Sequence, residues 1–256
     1  MFKELPRRRF LFEELVKRDF KHKYKRTVLG MFWSILAPLL QLSVMALVFS
    51  QFFGRTTDHY VIYIFCGNLI FMYYSDATTG AMQSLVSNAG IFTKVNVPHY
   101  LFLLSRIVQS LLNFSLTLMV LFIFVLFEPQ LHFHIKYVLL LYPVFSLTIL
   151  NIGVGLLLAS MHVFFRDVEY LYQIFTRLLM YLSAIFYNIN AYSSSAQTLF
   201  YLNPVYVHIK YFRLIILENI IPSFSFHLLC IAYALLALGA GLGVYRKYSR
   251  NFLYYL

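Results

Sequence analysis

Nine basic side chains crowd into residues 7–26, and the 24 residues from Gly30 to Phe53 contain no Asp, Glu, Lys or Arg. No linker separates the two stretches. The apolar one exceeds the roughly 20 residues a helix needs to cross the hydrocarbon core, and a basic flank is retained on the cytoplasmic side. This junction restricts the fold more than any other feature. It predicts a membrane protein whose N-terminus is cytoplasmic.

Composition agrees. The chain is 61% hydrophobic and only 12% charged, whereas soluble domains carry about 25% charged residues. Its net charge of +11 is concentrated: ten of the 21 Lys and Arg residues fall in the first 26 positions. Clusters beside apolar spans are topology signals and headgroup contacts, so nucleic-acid binding is excluded as a reading. Two isolated cysteines, Cys66 and Cys230, lie within apolar runs and offer no metal or redox motif. The first apolar stretch starts too late and runs too long for a cleavable signal peptide. No polar or low-complexity linker divides the 256 residues, which predicts a single domain.

Apolar periodicity predicts six spanning helices, at 30–53, 60–80, 101–127, 137–162, 170–190 and 226–245. An even number returns the C-terminus to the cytoplasm. With that topology, 17 of the 21 basic residues are cytoplasmic and four are external. The asymmetry matches the positive-inside rule along the whole chain.

Three segments outside the spans carry structure of their own. In the N-terminal segment, Phe12, Leu15, Val16, Phe20 and Tyr24 recur at helical spacing, with Lys17, Arg18, Lys21 and Lys25 opposite. Glu13–Lys17, Glu14–Arg18 and Asp19–Lys23 form favourable i,i+4 pairs. An interfacial helix with its basic face toward phospholipid follows. The cytoplasmic connection 81–100 is too long for a turn and too apolar for a solvated loop. It predicts a short helix bearing Ile91 and Phe92, either docking into a soluble partner or lying on the base of the bundle. The external region 191–225 contains Asn203-Pro204, a cap followed by Pro at the first helical position. Val205, Ile209, Phe212, Ile216 and Ile220 then repeat at helical spacing until Pro222. A short amphipathic helix on or dipping into the outer interface is expected there. Irregular backbone beside it must be covered by protein or face water.

Catalytic motifs are missing: the sequence has no GxxxxGK[ST] loop, no HExxH and no Gly-x-Ser-x-Gly elbow. His132 and His134 have no third ligand at metal spacing. Asp76 and Arg106 are placed at similar depth near the cytoplasmic ends of the second and third spans, which suits an ion pair. No acid falls at a predicted span centre, against a proton-driven carrier. Arg166-Asp167 and Glu169 make a charged cytoplasmic turn. Gly155 with Ala159, and Gly239 with Gly243, have the small-xxx-small spacing of close helix packing. The many aromatics, among them Tyr181, Phe186 and Tyr187, could stack on sugar rings or face lipid.

Four stretches follow one another in a specific order. They are Arg18-Asp19-Phe20-Lys21-His22-Lys23-Tyr24-Lys25-Arg26-Thr27-Val28-Leu29-Gly30-Met31-Phe32-Trp33-Ser34 with Ala37-Pro38; Ile91-Phe92-Thr93-Lys94-Val95-Asn96-Val97-Pro98; Phe164-Phe165-Arg166-Asp167-Val168; and Leu202-Asn203-Pro204-Val205. Together they resemble the ABC-2 type polysaccharide-export permeases, the membrane subunits of O-antigen, capsule and teichoic-acid exporters. The resemblance implies an all-α, six-span transmembrane domain over 1–256. An interfacial helix fills 1–29, the bundle 30–245 and a basic cytoplasmic tail 246–256, with a cytoplasmic coupling helix and short external gate helices.

It further implies a homodimer in the bacterial cytoplasmic membrane, paired with two ATPase subunits. The partner binds ATP and Mg; this chain carries no cofactor, metal or catalytic residue. A lipid-linked glycan of undecaprenyl-pyrophosphate type is the implied cargo. The implied roles are ATPase coupling for Ile91, Phe92, Lys94, Pro98, Arg166 and Asp167, and lipid-pyrophosphate admission for Lys17, Arg18, Lys21, Lys25 and Arg26. Trp33, Tyr181, Phe186 and Tyr187 would line the glycan channel, and Asn203 with Pro204 would belong to an external gate. The alternatives are a permease for a lipid or small hydrophobic compound, or an intramembrane glycosyl- or acyltransferase using Asp76, Asp167 and Glu169.

Overall fold

The computed structural model describes residues 9–24, 27, 29–53, 59–92, 97–128, 131, 134–189 and 192–255. Lys25, Arg26 and Lys94 lie outside the described residues, as does His132. Among the described residues the fold is all-helical: α1 Arg9–Tyr24, α2 Trp33–Phe53, α3 Tyr60–Ser87, α4 Ala89–Phe92, α5 Tyr100–Phe127, α6 Leu141–Phe164, α7 Val168–Leu182, α8 Ser194–Phe200, α9 Pro204–Ile216, α10 Phe224–Tyr248 and α11 Phe252–Tyr255. Short 3-10 turns at Gly30–Phe32, Ile135–Leu140 and Ser249–Asn251 lead into α2, α6 and α11.

α3 is the central element. It packs on α5 and α6, with α9 against its first turns and α2 alongside. Ile64, Ile70, Ala77, Ala81 and Leu85 recur around it and are fully buried, so it is enclosed by protein on most sides. The tightest contact joins α6 to α10. A methyl group added to Gly241 would strike the Gly153 carbonyl, and one added to Gly153 would strike the Ala237 backbone. Only glycine lets the two backbones approach so closely. The seam differs from the one expected. Gly239 and Gly243 face open space, and Gly155 packs on α3 beside Ala81.

Three described helices have both the length and the composition to cross a membrane: Tyr100–Phe127, Ile135–Phe164 and Phe224–Asn251. The shorter apolar helix Trp33–Met45 corresponds to the first expected span. α3 is long enough but is interrupted by Asn68, Asp76 and Gln83, and α7 stops at Leu182, well short of the expected 190. α3 also runs seven residues beyond the expected end at 80. That extension brings Asp76 away from a helix end toward the middle of the element. Leu228, Leu235 and Leu236 point outward from α10 with half or more of their surface exposed, as lipid-facing leucines do.

The helices define two ends. α1, α4 and α11 gather at one, called here the base; α8 and α9 close the other, the top.

Candidate functional site

A cavity of about 470 Å3 lies between α2, α3 and α5, with Met180 of α7 at its edge. Its volume falls in the range of about 300–1,000 Å3 typical of ligand pockets. The lining is amphipathic. Trp33, Phe71, Tyr73 and Phe114 present aromatic faces, while Gln41, Asn68, Ser110, Asn113 and Thr117 supply amides and hydroxyls. Asp76 is the one carboxylate among the residues lining it. Pro38 of α2 also faces it. Because proline has no N–H, the Ser34 carbonyl one turn earlier loses its usual helical donor. Polar groups midway along apolar helices are costly and mark pathways or binding sites.

At the top, α7 ends early because Ser183–Tyr187 leaves the helical path, with Ala184 at φ 48. Side chains from elsewhere satisfy that broken backbone. Tyr60 Oη donates to the Phe186 carbonyl at 2.7 Å and Tyr63 Oη to the Tyr187 carbonyl at 2.8 Å. Arg213 of α9 donates from Nη1 to the Ala184 carbonyl at 2.9 Å, and from Nη2 to the Ile185 and Tyr63 carbonyls at 3.0 and 3.2 Å. Its guanidinium carbon lies 3.4 Å from the centre of the Tyr63 ring. Arg213 is 3% exposed, and among the described residues no carboxylate forms an ion pair with it. Backbone dipoles and an aromatic face offset its charge. Gly67 makes room: a methyl there would lie 2.9 Å from Arg213 Nη2 and 3.3 Å from the Ile185 backbone.

The expected cap forms. Asn203 Oδ1 accepts from the Val205 and Tyr206 amides at 2.9 and 3.4 Å, with Pro204 at the first helical position. The Asn203 amide donates to Ser183 Oγ at 2.9 Å, so the cap also holds the end of α7. α9 stops at Ile216 rather than Ile220 and is buried on nearly all sides. It dips into the bundle rather than lying on its surface. His208, within it, is fully buried and bonded to Ser146 at 2.6 Å.

The expected channel aromatics separate. Trp33 lines the cavity, whereas Tyr181, Phe186 and Tyr187 belong to the top. Tyr187 Oη donates to the Tyr181 carbonyl at 2.8 Å, and its ring meets those of Tyr192 and Phe200. Tyr181 is 59% exposed.

At the base, α1 packs on α5, with Leu15 and Asp19 buried. Asp19 accepts from Ser105 Oγ at 2.8 Å and from Arg18 Nη2 at 2.8 Å, and Arg106 Nε lies 3.7 Å away. The acidic neighbour of Arg106 therefore comes from α1; Asp76, the partner expected for it, lines the cavity. The partners of Glu13 and Glu14 on α1 also differ in register from those expected, with Arg9–Glu13 at 2.6 Å and Lys17–Glu14 at 2.8 Å, while the Lys23 side chain of the expected Asp19–Lys23 pair lies outside the described residues. Glu14 raises the Lys17 ammonium above its usual 10.5. Lys17 and Lys21 remain exposed, and Arg18 is half-exposed beside the Phe102 ring.

Phe92 is 7% exposed. Its ring sits 4.5 Å from that of His99 and 4.8 Å from that of Phe102, so Phe92 holds α4 against the base of the bundle. Ile91 and Pro98 stay half-exposed. Burial holds the His99 imidazole below its usual 6.5. Arg166 and Asp167 are exposed at the α6–α7 turn, where Gln83 Nε2 donates to Glu169 at 2.7 Å and His162 lies 3.4 Å from it.

The sequence profile of the ABC-2 type transporter family matches residues 11–217, from the first turn of α1 to just beyond α9. The chain belongs to that family. It is similar to the O-antigen export system permease protein RfbA of Myxococcus xanthus, 25% identical over 228 residues that cover 87% of this chain and 86% of the relative. An RfbA of Klebsiella pneumoniae is 24% identical over 251 residues, 95% of each chain. A second from that organism is 26% identical over 183 residues, 70% of each.

In this ABC-2 chain, several residues that organise the site have no signature in the sequence. Arg213 is one of the four basic residues that the predicted topology places outside, and Ser105, Tyr60 and Tyr63 belong to no motif. Their partners are backbone carbonyls or residues far away in sequence, so spacing gave no signal. Asn68, Asn113 and Gln41 could have been flagged as amides inside apolar spans.

Proposed function

We propose that this chain is the membrane subunit of an ATP-driven exporter that moves a lipid-linked polysaccharide across the bacterial cytoplasmic membrane. The observation that carries the reading is the amide- and hydroxyl-lined cavity, set among apolar helices of an ABC-2 family chain. A passage for a purely apolar compound gains nothing from amides midway through the membrane, whereas sugar rings use amides, hydroxyls and aromatic faces together. The names of the relatives, all O-antigen export permeases, narrow the cargo to a polysaccharide.

In this reading α2, α3, α5, α6, the α7 segment and α10 provide six spans, the base is cytoplasmic, and both termini lie there. Residues 1–256 act as one domain. Two copies form the passage and two ATPase subunits bind beneath them, supplying the ATP and Mg site. Ile91, Lys94, Pro98, Arg166 and Asp167 face the ATPase, with Phe92 holding the segment to the bundle. Lys17, Arg18, Lys21, Lys25 and Arg26 attract the lipid pyrophosphate, whose charge complements a basic helix at the headgroup level. Trp33 offers a sugar-stacking face in the cavity. Tyr181, Phe186 and Tyr187 line the outer exit, and Asn203 and Pro204 set the outer gate.

The test is purification of the tagged chain in mild detergent, with mass spectrometry of its partners. A stoichiometric chain carrying a phosphate-binding loop is expected, and its ATPase rate should rise with lipid-linked glycan. A folded permease that reproducibly lacks such a partner would overturn the reading. Replacing Asn113 and Thr117 by Leu and Val should lower glycan export at least tenfold while basal ATP hydrolysis persists. Unchanged export would remove the cavity from the pathway.

A further inference from the structure

The sequence presents residues 246–256 as a basic tail that fixes topology. Charge at the surface suffices for that role, yet the tail folds back under the bundle and buries a ring. Phe252 is fully buried, while Arg250 and Asn251 before it and Tyr254 after it are exposed. Ordering a short segment costs conformational entropy, so such docking needs a compensating contact.

The contact is specific. The Phe252 ring lies 6.1 Å from that of His99, 5.9 Å from that of Phe164 and 5.6 Å from that of Tyr245. His99 in turn carries Phe92, the last residue of α4. Phe164 ends α6, two residues before Arg166, and also meets Tyr248 and Tyr255 of the tail. The rings thus run Phe92, His99, Phe252, Phe164. They connect α4 to the Arg166–Asp167 turn through a residue contributed by α11. Gln83 and His162 tie Glu169 to α3 and α6, but the aromatic path is the one that continues to Phe92. The tail lies beyond residues 11–217, the part matched by the family profile.

We propose that Phe252 is a positioning residue which makes the two cytoplasmic contact elements move as one unit. This rests on the reading that those elements face an ATPase. A push on either then reaches both α5 and α6, instead of bending one loop.

Spin labels at Gly90→Cys and Tyr170→Cys in the full-length chain test the idea. Gly90 has open space around it, Tyr170 is 69% exposed, and the native Cys66 and Cys230 are buried. The wild-type background should give one narrow distance distribution that shifts when the co-purified ATPase binds ATP. Phe252→Ala should at least double its width and lower glycan exported per ATP about tenfold, with ATPase binding retained. Phe252→Leu should restore most of both. If Phe252→Ala fails to fold, His99→Ala interrupts the same path and should broaden the distribution likewise. An unchanged width in the variant that folds overturns the proposal, and so does a broadened width with an unchanged export-to-ATP ratio. If the ATPase reading itself is wrong, the failure appears in the wild-type background, where nucleotide leaves the distance unmoved.

Discussion

At the top of the bundle one guanidinium, that of Arg213, donates to the carbonyls of Tyr63, Ala184 and Ile185, whereas at the base the corresponding links are rings meeting around Phe252 and His99. Hydrogen bonds to a buried cation are directional and weaken steeply with misalignment. Ring contacts are weaker one by one, yet they persist when neighbours slide by a fraction of an ångström. The contrast suits different tasks. A directional lock is either closed or open, as the outer gate proposed above requires. A packed aromatic path transmits displacement without breaking, as the coupling proposed for the base requires.

The sharpest way to break the comparison is at the top. Arg213→Ala strips the donor from the buried Ala184 and Ile185 carbonyls, and each unsatisfied buried acceptor costs about 1–3 kcal/mol. Hydrogen exchange in residues 204–216 should rise strongly while the base stays protected. Arg213→Lys should recover only part, because a point charge cannot reproduce the fork. Next comes the base. Phe252→Ala should cost about 2 kcal/mol, below the 3–5 of a core Phe→Ala, because the short α11 turn can undock rather than leave a cavity. Thermal unfolding in detergent measures it, and protection at the top should not change.

A smaller effect is expected from Ser105→Ala, which removes one donor from buried Asp19 at a cost of about 1–2 kcal/mol. Limited proteolysis should then cut α1 sooner. The smallest concerns pH. His99 is held below its usual 6.5, so the unfolded state takes up a proton first as pH falls. Stability is complete above 6.5 and declines below it, toward the lowered folded-state value. The base should loosen modestly between pH 7 and 5, and His99→Phe should abolish that dependence. If the top loosened instead, the division of labour would fail.

Legibility followed the locality of the signal. The Asn203-Pro204 cap, the amphipathic α1 and the apolar lengths of α5, α6 and α10 are written in neighbouring residues, and each appears where the pattern put it. What needed the third dimension was lost. Phe92 projects to solvent if only its own segment is considered, and is buried because His99 and Phe102 cover it. Arg213 looks like a solvated cation because its acceptors are carbonyls, which no sequence motif records. The α6–α10 crossing could have used any of several small residues, and Gly153 and Gly241 were chosen by the facing backbone. The cavity was invisible for the same reason. Gln41, Asn68 and Asn113 lie on three different helices, and only their packing makes them one lining.

The most direct test is transport itself. The permease, reconstituted in proteoliposomes with its co-purifying ATPase and a lipid-linked glycan, should move that glycan between leaflets only when ATP is hydrolysed. Movement without ATP, or ATP hydrolysis that a lipid-linked glycan neither stimulates nor follows across the membrane, would contradict the account.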